Sequence, residues 1–147
     1  MDKITNRIIA VVLGVALAYA SIAIAGIGAA IAIPADILKP LAQVSHLLAF
    51  TLVDLFTIAV PLAAAFLIVA FASKLVISKP DFTFYVLLIA PLVLLQLYFV
   101  AHSQPKMLTH IVTTLPRYLL LAMCFYFLVR STNRAIPNKA NHARHAA

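Results

Sequence analysis

Three residues interrupt the long apolar stretches of the chain: Asp54 between His46 and Ala72, Gln96 between Phe82 and Ala101, and Arg117 between Met107 and Val129. A carboxylate and a guanidinium form two parallel charge-assisted hydrogen bonds, and an amide can extend the pair into a triad. His46, His102 and His110 stand near the ends of the same stretches, with Asp36 in an adjoining segment. Imidazole and carboxylate suit zinc or copper, so these histidines are candidate outer-rim ligands. Their spacing argues against it, because no His-x-x-x-His or Glu-x-x-His pair is present. A pH-sensitive rim is the simpler chemistry, and no metal is assigned. A haem would need two histidines in a buried core rather than at an edge, so no cofactor is expected.

Other catalytic patterns are missing. There is no glycine-rich phosphate loop, no paired acidic residues and no activated serine or cysteine motif. Ser45-His46 and His102-Ser103 are neighbours in sequence, but adjacent residues on a helix point about 100° apart. The one cysteine, Cys124, excludes an internal disulfide and CxxC chemistry, and with them a four-span quinone-linked dithiol oxidoreductase. Within the apolar segment from Leu119 to Phe127 it reads as a small hydrophobe. The chain is not expected to be an enzyme.

The elements that must position Asp54, Gln96 and Arg117 follow from composition. Of the 147 residues 65% are hydrophobic and 10% charged, with a mean hydropathy of +1.08. Soluble domains run at about 45–50% apolar and about 25% charged, so a soluble or disordered chain is excluded. The expected fold is an all-α membrane protein, a four-transmembrane-helix bundle with short loops. Its spans are Ile8 to Ile33, His46 to Ala72, Phe82 to Ala101 and Met107 to Val129. Each holds the ~20 residues needed to cross ~30 Å of hydrocarbon. Residues 1–130 form one membrane domain, followed by a flexible basic tail over 131–147 whose dispersed charges are drawn to anionic lipid.

The net charge of +7 is first a statement of topology. Lys3, Arg7, Lys74, Lys79, Arg130, Arg134, Lys139 and Arg144 fall on one side, Lys39 and Lys106 on the other, and Arg117 within a span. The positive-inside rule then places both termini in the cytoplasm, with the inner membrane of a bacterium as the expected location. Nucleic acid is not an expected partner, since the tail lacks aromatic interleaving or a folded motif. Ala18-Tyr19-Ala20 before Ser21 resembles a signal-peptide cleavage site, but the apolar run continues to Pro34, which favours retention as a span.

Depth groups the three polar residues. Asp54 lies eight residues after His46 and Arg117 seven after His110, which puts both roughly 10–12 Å below the outer helix ends; Gln96, six before His102, is roughly 9 Å deep. A mid-bilayer charge costs at least ~2.5–3.5 kcal/mol, so each is a candidate site residue. Asp54 and Arg117 are expected to pair across spans two and four, with Gln96 as a third member and Thr51, Thr113 and Thr114 nearby. Alternatively Arg117 snorkels to the outer headgroups, while Asp54 is protonated or faces a water-filled cleft.

Span one carries small residues at Gly14, Ala18, Ser21, Ala25, Gly28 and Ala32, in steps of four, three, four, three and four. Such a seam lets helix backbones approach closely in lipid. Pro61, Pro91 and Pro116 each remove a backbone donor from the carbonyls of Thr57, Leu87 and Val112, and a static kink is expected at each. Phe82, Phe84, Tyr85, Tyr98, Phe99 and Tyr126 stand where interfacial anchors belong.

Two functional classes remain. A small transporter or channel subunit would use Asp54, Gln96 and Arg117. Four-span multidrug exporters are similar in span number but carry a glutamate in the first span, which here has no acid; four-span fluoride channels are alike in size but carry a glycine-rich arginine motif absent here. The other class acts through intramembrane contacts, with another membrane protein or with itself, as an accessory, assembly, immunity or exclusion protein. The layout resembles the four-span immunity proteins of pore-forming bacteriocins in size, topology and polar groups buried towards the outer half. That resemblance implies a partner embedded in the same lipid bilayer, and it is one of architecture, carrying over no residues.

Overall fold

A computed structural model of the chain describes residues 3–31, 33–77, 80–102 and 107–134. These residues form helices, with no strand among them: α1 (Lys3–Ala30), α2 (Ala35–Val44), α3 (His46–Val76), α4 (Phe82–His102) and α5 (Met107–Arg134). Within α3, Leu55–Ala59 form a π-helical turn. Lys3–Ala30, His46–Val76, Phe82–His102 and Leu108–Thr132 are each long and apolar enough to cross a membrane. The protein is an all-α, multi-pass membrane bundle.

The helix ends depart from the expected spans for local reasons. α1 begins at Lys3 rather than Ile8, and α5 runs on to Arg134 rather than Val129, because backbone hydrogen bonding continues through polar flanks that tolerate a helix. α1 stops at Ala30 rather than Ile33, since a residue before proline, here Ile33 before Pro34, is pushed out of the α region. The segment read as a loop after span one contains α2. Pro34 stands at its N-cap and Asp36 in its first turn, and Ile37, Leu38, Leu41 and Val44 recur at helical spacing. Its ten residues reach about 15 Å, too short to cross a bilayer. Two later starts are capped by side chains: the Ser45 hydroxyl accepts from the Leu48 N–H at 3.4 Å, and the Asp81 carboxylate accepts from the Phe84 N–H at 2.9 Å.

Large apolar side chains such as Ile8, Tyr19, Phe56, Ile68, Leu94, Leu119 and Phe127 are exposed on the outside of the bundle, where lipid solvates them. Inside, Ala10, Leu17, Leu62, Phe66, Ala70, Leu88, Leu92, Leu121 and Leu128 form one apolar core, with Cys124 packed against it. Phe84 and Tyr85 belong to that core and are not interfacial anchors. Residues adjacent on a helix share a face only in part, and here both turn inward, their rings edge to face at 5.7 Å. The Tyr85 hydroxyl is met by the Thr132 hydroxyl at 3.5 Å. Phe82, Tyr98, Phe99 and Tyr126 are exposed.

The small-residue seam of α1 is used within the chain. Gly14, Ala18, Ser21 and Gly28 are buried and Ala25 is half-buried, while Ala32 lies outside the described residues. A Cβ at Gly14 would stand 2.6 Å from the Leu88 carbonyl oxygen and 3.0 Å from the Pro91 ring of α4. One at Gly28 would stand 2.7 Å from the Thr57 carbonyl oxygen and 2.8 Å from Ile58 of α3. The first close approach falls beside Pro91 of α4, and the second falls in the π turn that precedes Pro61 of α3. The Ser21 hydroxyl donates to its own helix, to the Ala18 carbonyl at 2.7 Å. The basic tail from residue 135 onward lies outside the described residues.

Candidate functional site

Three helices each contribute one polar side chain at a common level. Leu92 on α4 and Leu121 on α5 are buried in the apolar core, and one turn further towards the histidine-bearing end the same helix faces carry Gln96 and Arg117. α3 supplies Asp54, immediately before its π turn. The sequence stripe is thus continuous, and its chemistry changes from apolar to polar within one turn.

Arg117 joins the three. Its Nη2 donates to Asp54 Oδ1 in a close ion pair, and its Nε donates to Asp54 Oδ2 at 3.3 Å. This is the two-pronged guanidinium–carboxylate arrangement that neutralises both charges and fixes their orientation. Its Nη1 donates to Gln96 Oε1 at 3.2 Å. The side chains are 9% exposed for Arg117 and 13% for Asp54, so the guanidinium is held inside the bundle and does not snorkel to its end. Sequence reasoning brought these three residues to one layer, and the structure brings them into contact. The threonines at nearby depth stay out of the network: Thr51 donates to the Leu47 carbonyl, Thr113 to those of Thr109 and His110, and Thr114 to that of His110. Each hydroxyl satisfies itself on its own helix, which suits a threonine in lipid.

Asp54 and Arg117 also line a cleft of about 500 Å³, open at the surface. Its walls come from the end of α1 (Gly28 and Ala29), the first half of α3 (Phe50, Val53, Thr57 and Ile58) and the start of α5 (Thr109, His110, Thr113 and Thr114). Asp54 is thus paired with Arg117 and also borders the cleft. Leu62, Leu92 and Leu121, which are 0%, 0% and 4% exposed, belong to the apolar core and are not part of the cleft wall.

The histidines do not form a site together. His110 is half-buried and lines the cleft. His102 is exposed, with Nδ1 2.9 Å from the Tyr98 carbonyl and its ring 4.1 Å from the Tyr98 ring. His46 is exposed at the start of α3. Among the described residues no three of His, Cys, Asp and Glu are grouped so as to hold a metal ion. They share an end of the bundle, which residue counting detects, but not a direction, which it does not.

Sequence reasoning missed Phe50, Gly28 and Thr57 as cleft walls, and it missed the π turn beside Asp54. Pro61 was the available signal. It leaves the Thr57 carbonyl without its helical donor, and the altered turn lies just before it. Comparisons with protein-family models, with curated proteins and with solved structures return no match.

Proposed function

We propose that this chain is a small accessory-type membrane protein that works by contacting another membrane protein within the bilayer, and that the cleft beside Asp54 and Arg117 receives the partner's segment. The reading is carried by one observation: the charged pair borders a cleft that opens at the surface. A largely apolar cleft with a charged pair in its wall suits recognition of a polar group presented by another span, since such groups seek partners in lipid. Internal use of the α1 seam favours the cleft over that seam as the contact surface. The protein would lie in a bacterial inner membrane with both termini cytoplasmic, as the distribution of its basic residues favours, and an immunity or exclusion role is one form of this reading.

A transporter or channel subunit is the second reading, favoured by the charged lining of a cleft of about 500 Å³. The same residues would act there, and further copies would have to complete a pathway.

The test exploits two exposed phenylalanines, Phe50 in the cleft wall and Phe127 on the opposite half of the bundle. A photoreactive phenylalanine analogue at Phe50 should give one discrete protein adduct in the native membrane. That adduct should vanish in the Asp54→Leu/Arg117→Leu double variant and be missing from position 127. Identical adducts from both positions, or an adduct indifferent to the double variant, would reject the proposal. Ion conduction or substrate exchange by the purified protein in liposomes would move the assignment to the transporter class.

A further inference from the structure

We propose that the π turn Leu55–Ala59 holds one residue more than the path of α3 requires, and that this surplus residue aims Asp54 at Arg117. The inference concerns how the carboxylate is positioned, and it stands whether or not the cleft receives a partner.

Below the turn, Leu62, Phe66, Ala70 and Ser73 are buried at steps of four, four and three, a single inward stripe of an α-helix. Asp54 precedes Phe66 by twelve residues. In an unbroken α-helix, at about 100° per residue, that distance is three turns plus about 120°. Asp54 would then point well to one side of the stripe and away from Arg117. An i→i+5 turn takes up one residue more than an i→i+4 turn, which removes about 100° of that rotation and leaves about 20°. The carboxylate thereby falls in line with the core-facing stripe, where Arg117 meets it.

The local hydrogen bonding fits this role. The Val60 N–H bonds to the Leu55 carbonyl, five residues back, and Pro61 has no N–H to offer the Thr57 carbonyl. That carbonyl faces Gly28 of α1 at a distance only glycine permits, and the Thr57 hydroxyl closes on the Val53 carbonyl at 2.8 Å. Pro61 thus disfavours a regular α turn at this point, and Gly28 makes room for the widened one.

A surplus residue has an unusual consequence under deletion. Removing Phe56, which is 66% exposed, should turn the π turn into an α turn and leave both halves of α3 in phase. Removing Ile68, which is 67% exposed on the same helix but in a regular α stretch, should rotate one half against the other by about 100°. The readout is cross-linking by a short bifunctional thiol reagent between cysteines at Asp54→Cys and Arg117→Cys, in a Cys124→Ala background. With Phe56 deleted, the yield should stay within about twofold of the parent, whereas with Ile68 deleted it should fall at least about tenfold or the protein should fail to fold. Loss of cross-linking or of folding on deleting Phe56 would overturn the proposal, as would full cross-linking on deleting Ile68.

Discussion

Replacing Arg117 with leucine should lower the stability of the bundle in mild detergent by about 3 kcal/mol, at the lower end of the range for breaking a buried ion pair. The cost arises less from the lost attraction than from what remains. Asp54, 13% exposed, would lose both prongs of its partner and stand unpaired inside the bundle. Converting both residues to leucine should recover most of the loss, since apolar groups of similar volume often replace a buried pair at little cost. Gln96→Leu should cost about 1 kcal/mol, as for one hydrogen bond to a charged group with partial compensation. Unfolding titrations of the three variants in one detergent check this series. Wild-type stability in Arg117→Leu would mean that Asp54 does not depend on the guanidinium and that the pair does not hold the bundle together.

The recovered double variant separates stability from function. It should fold and yet lose the Phe50 photo-adduct, because it lacks the polar groups that a partner would recognise.

The second large effect lies in α1. Gly14→Ala and Gly28→Ala should each destabilise the bundle by about 1–3 kcal/mol, as overpacking does where the obstacle cannot move aside. In both cases the obstacle is backbone: the Leu88 carbonyl at 2.6 Å from the added carbon, and the Thr57 carbonyl at 2.7 Å. Gly26→Ala is the internal control. Nothing lies within 4 Å of a Cβ there, so alanine should be neutral or stabilising by up to about 1 kcal/mol through helix propensity. Thermal unfolding followed by circular dichroism distinguishes the three. Equal effects at positions 14, 26 and 28 would show that the seam does not make these close approaches.

Much of this architecture was legible in the sequence, for identifiable reasons. Spans in lipid must be apolar along most of their length, so composition and run length located all four. Depth was equally readable, because a helix rises by a fixed step and the histidine-bearing ends of three spans could be matched, and this placed Asp54, Gln96 and Arg117 in one layer. Direction around the helix was harder. Apolar residues face both lipid and core, so hydrophobic periodicity does not distinguish the inward face, and Phe84 and Tyr85 were read as anchors although both are buried. α2 was missed because two prolines and two charges in a short segment resemble a loop, while Pro34 in fact caps the helix and Asp36 favours its first turn. The π turn was not legible because Pro61 by itself predicts only a kink from one lost donor, not a widened turn before it. Equal depth suggested a common rim of three histidines, of which only His110 lines the cleft.

Arg117 and Asp54 form one ion-paired unit at the edge of the cleft. The most direct measurement is a double-mutant cycle on unfolding free energy with Asp54→Asn, Arg117→Gln and the combined variant, chosen to remove charge while keeping size. A coupling energy of about 2 kcal/mol is expected, within the range for residues in one buried network. Strictly additive losses would contradict the pairing and, with it, the site built upon it.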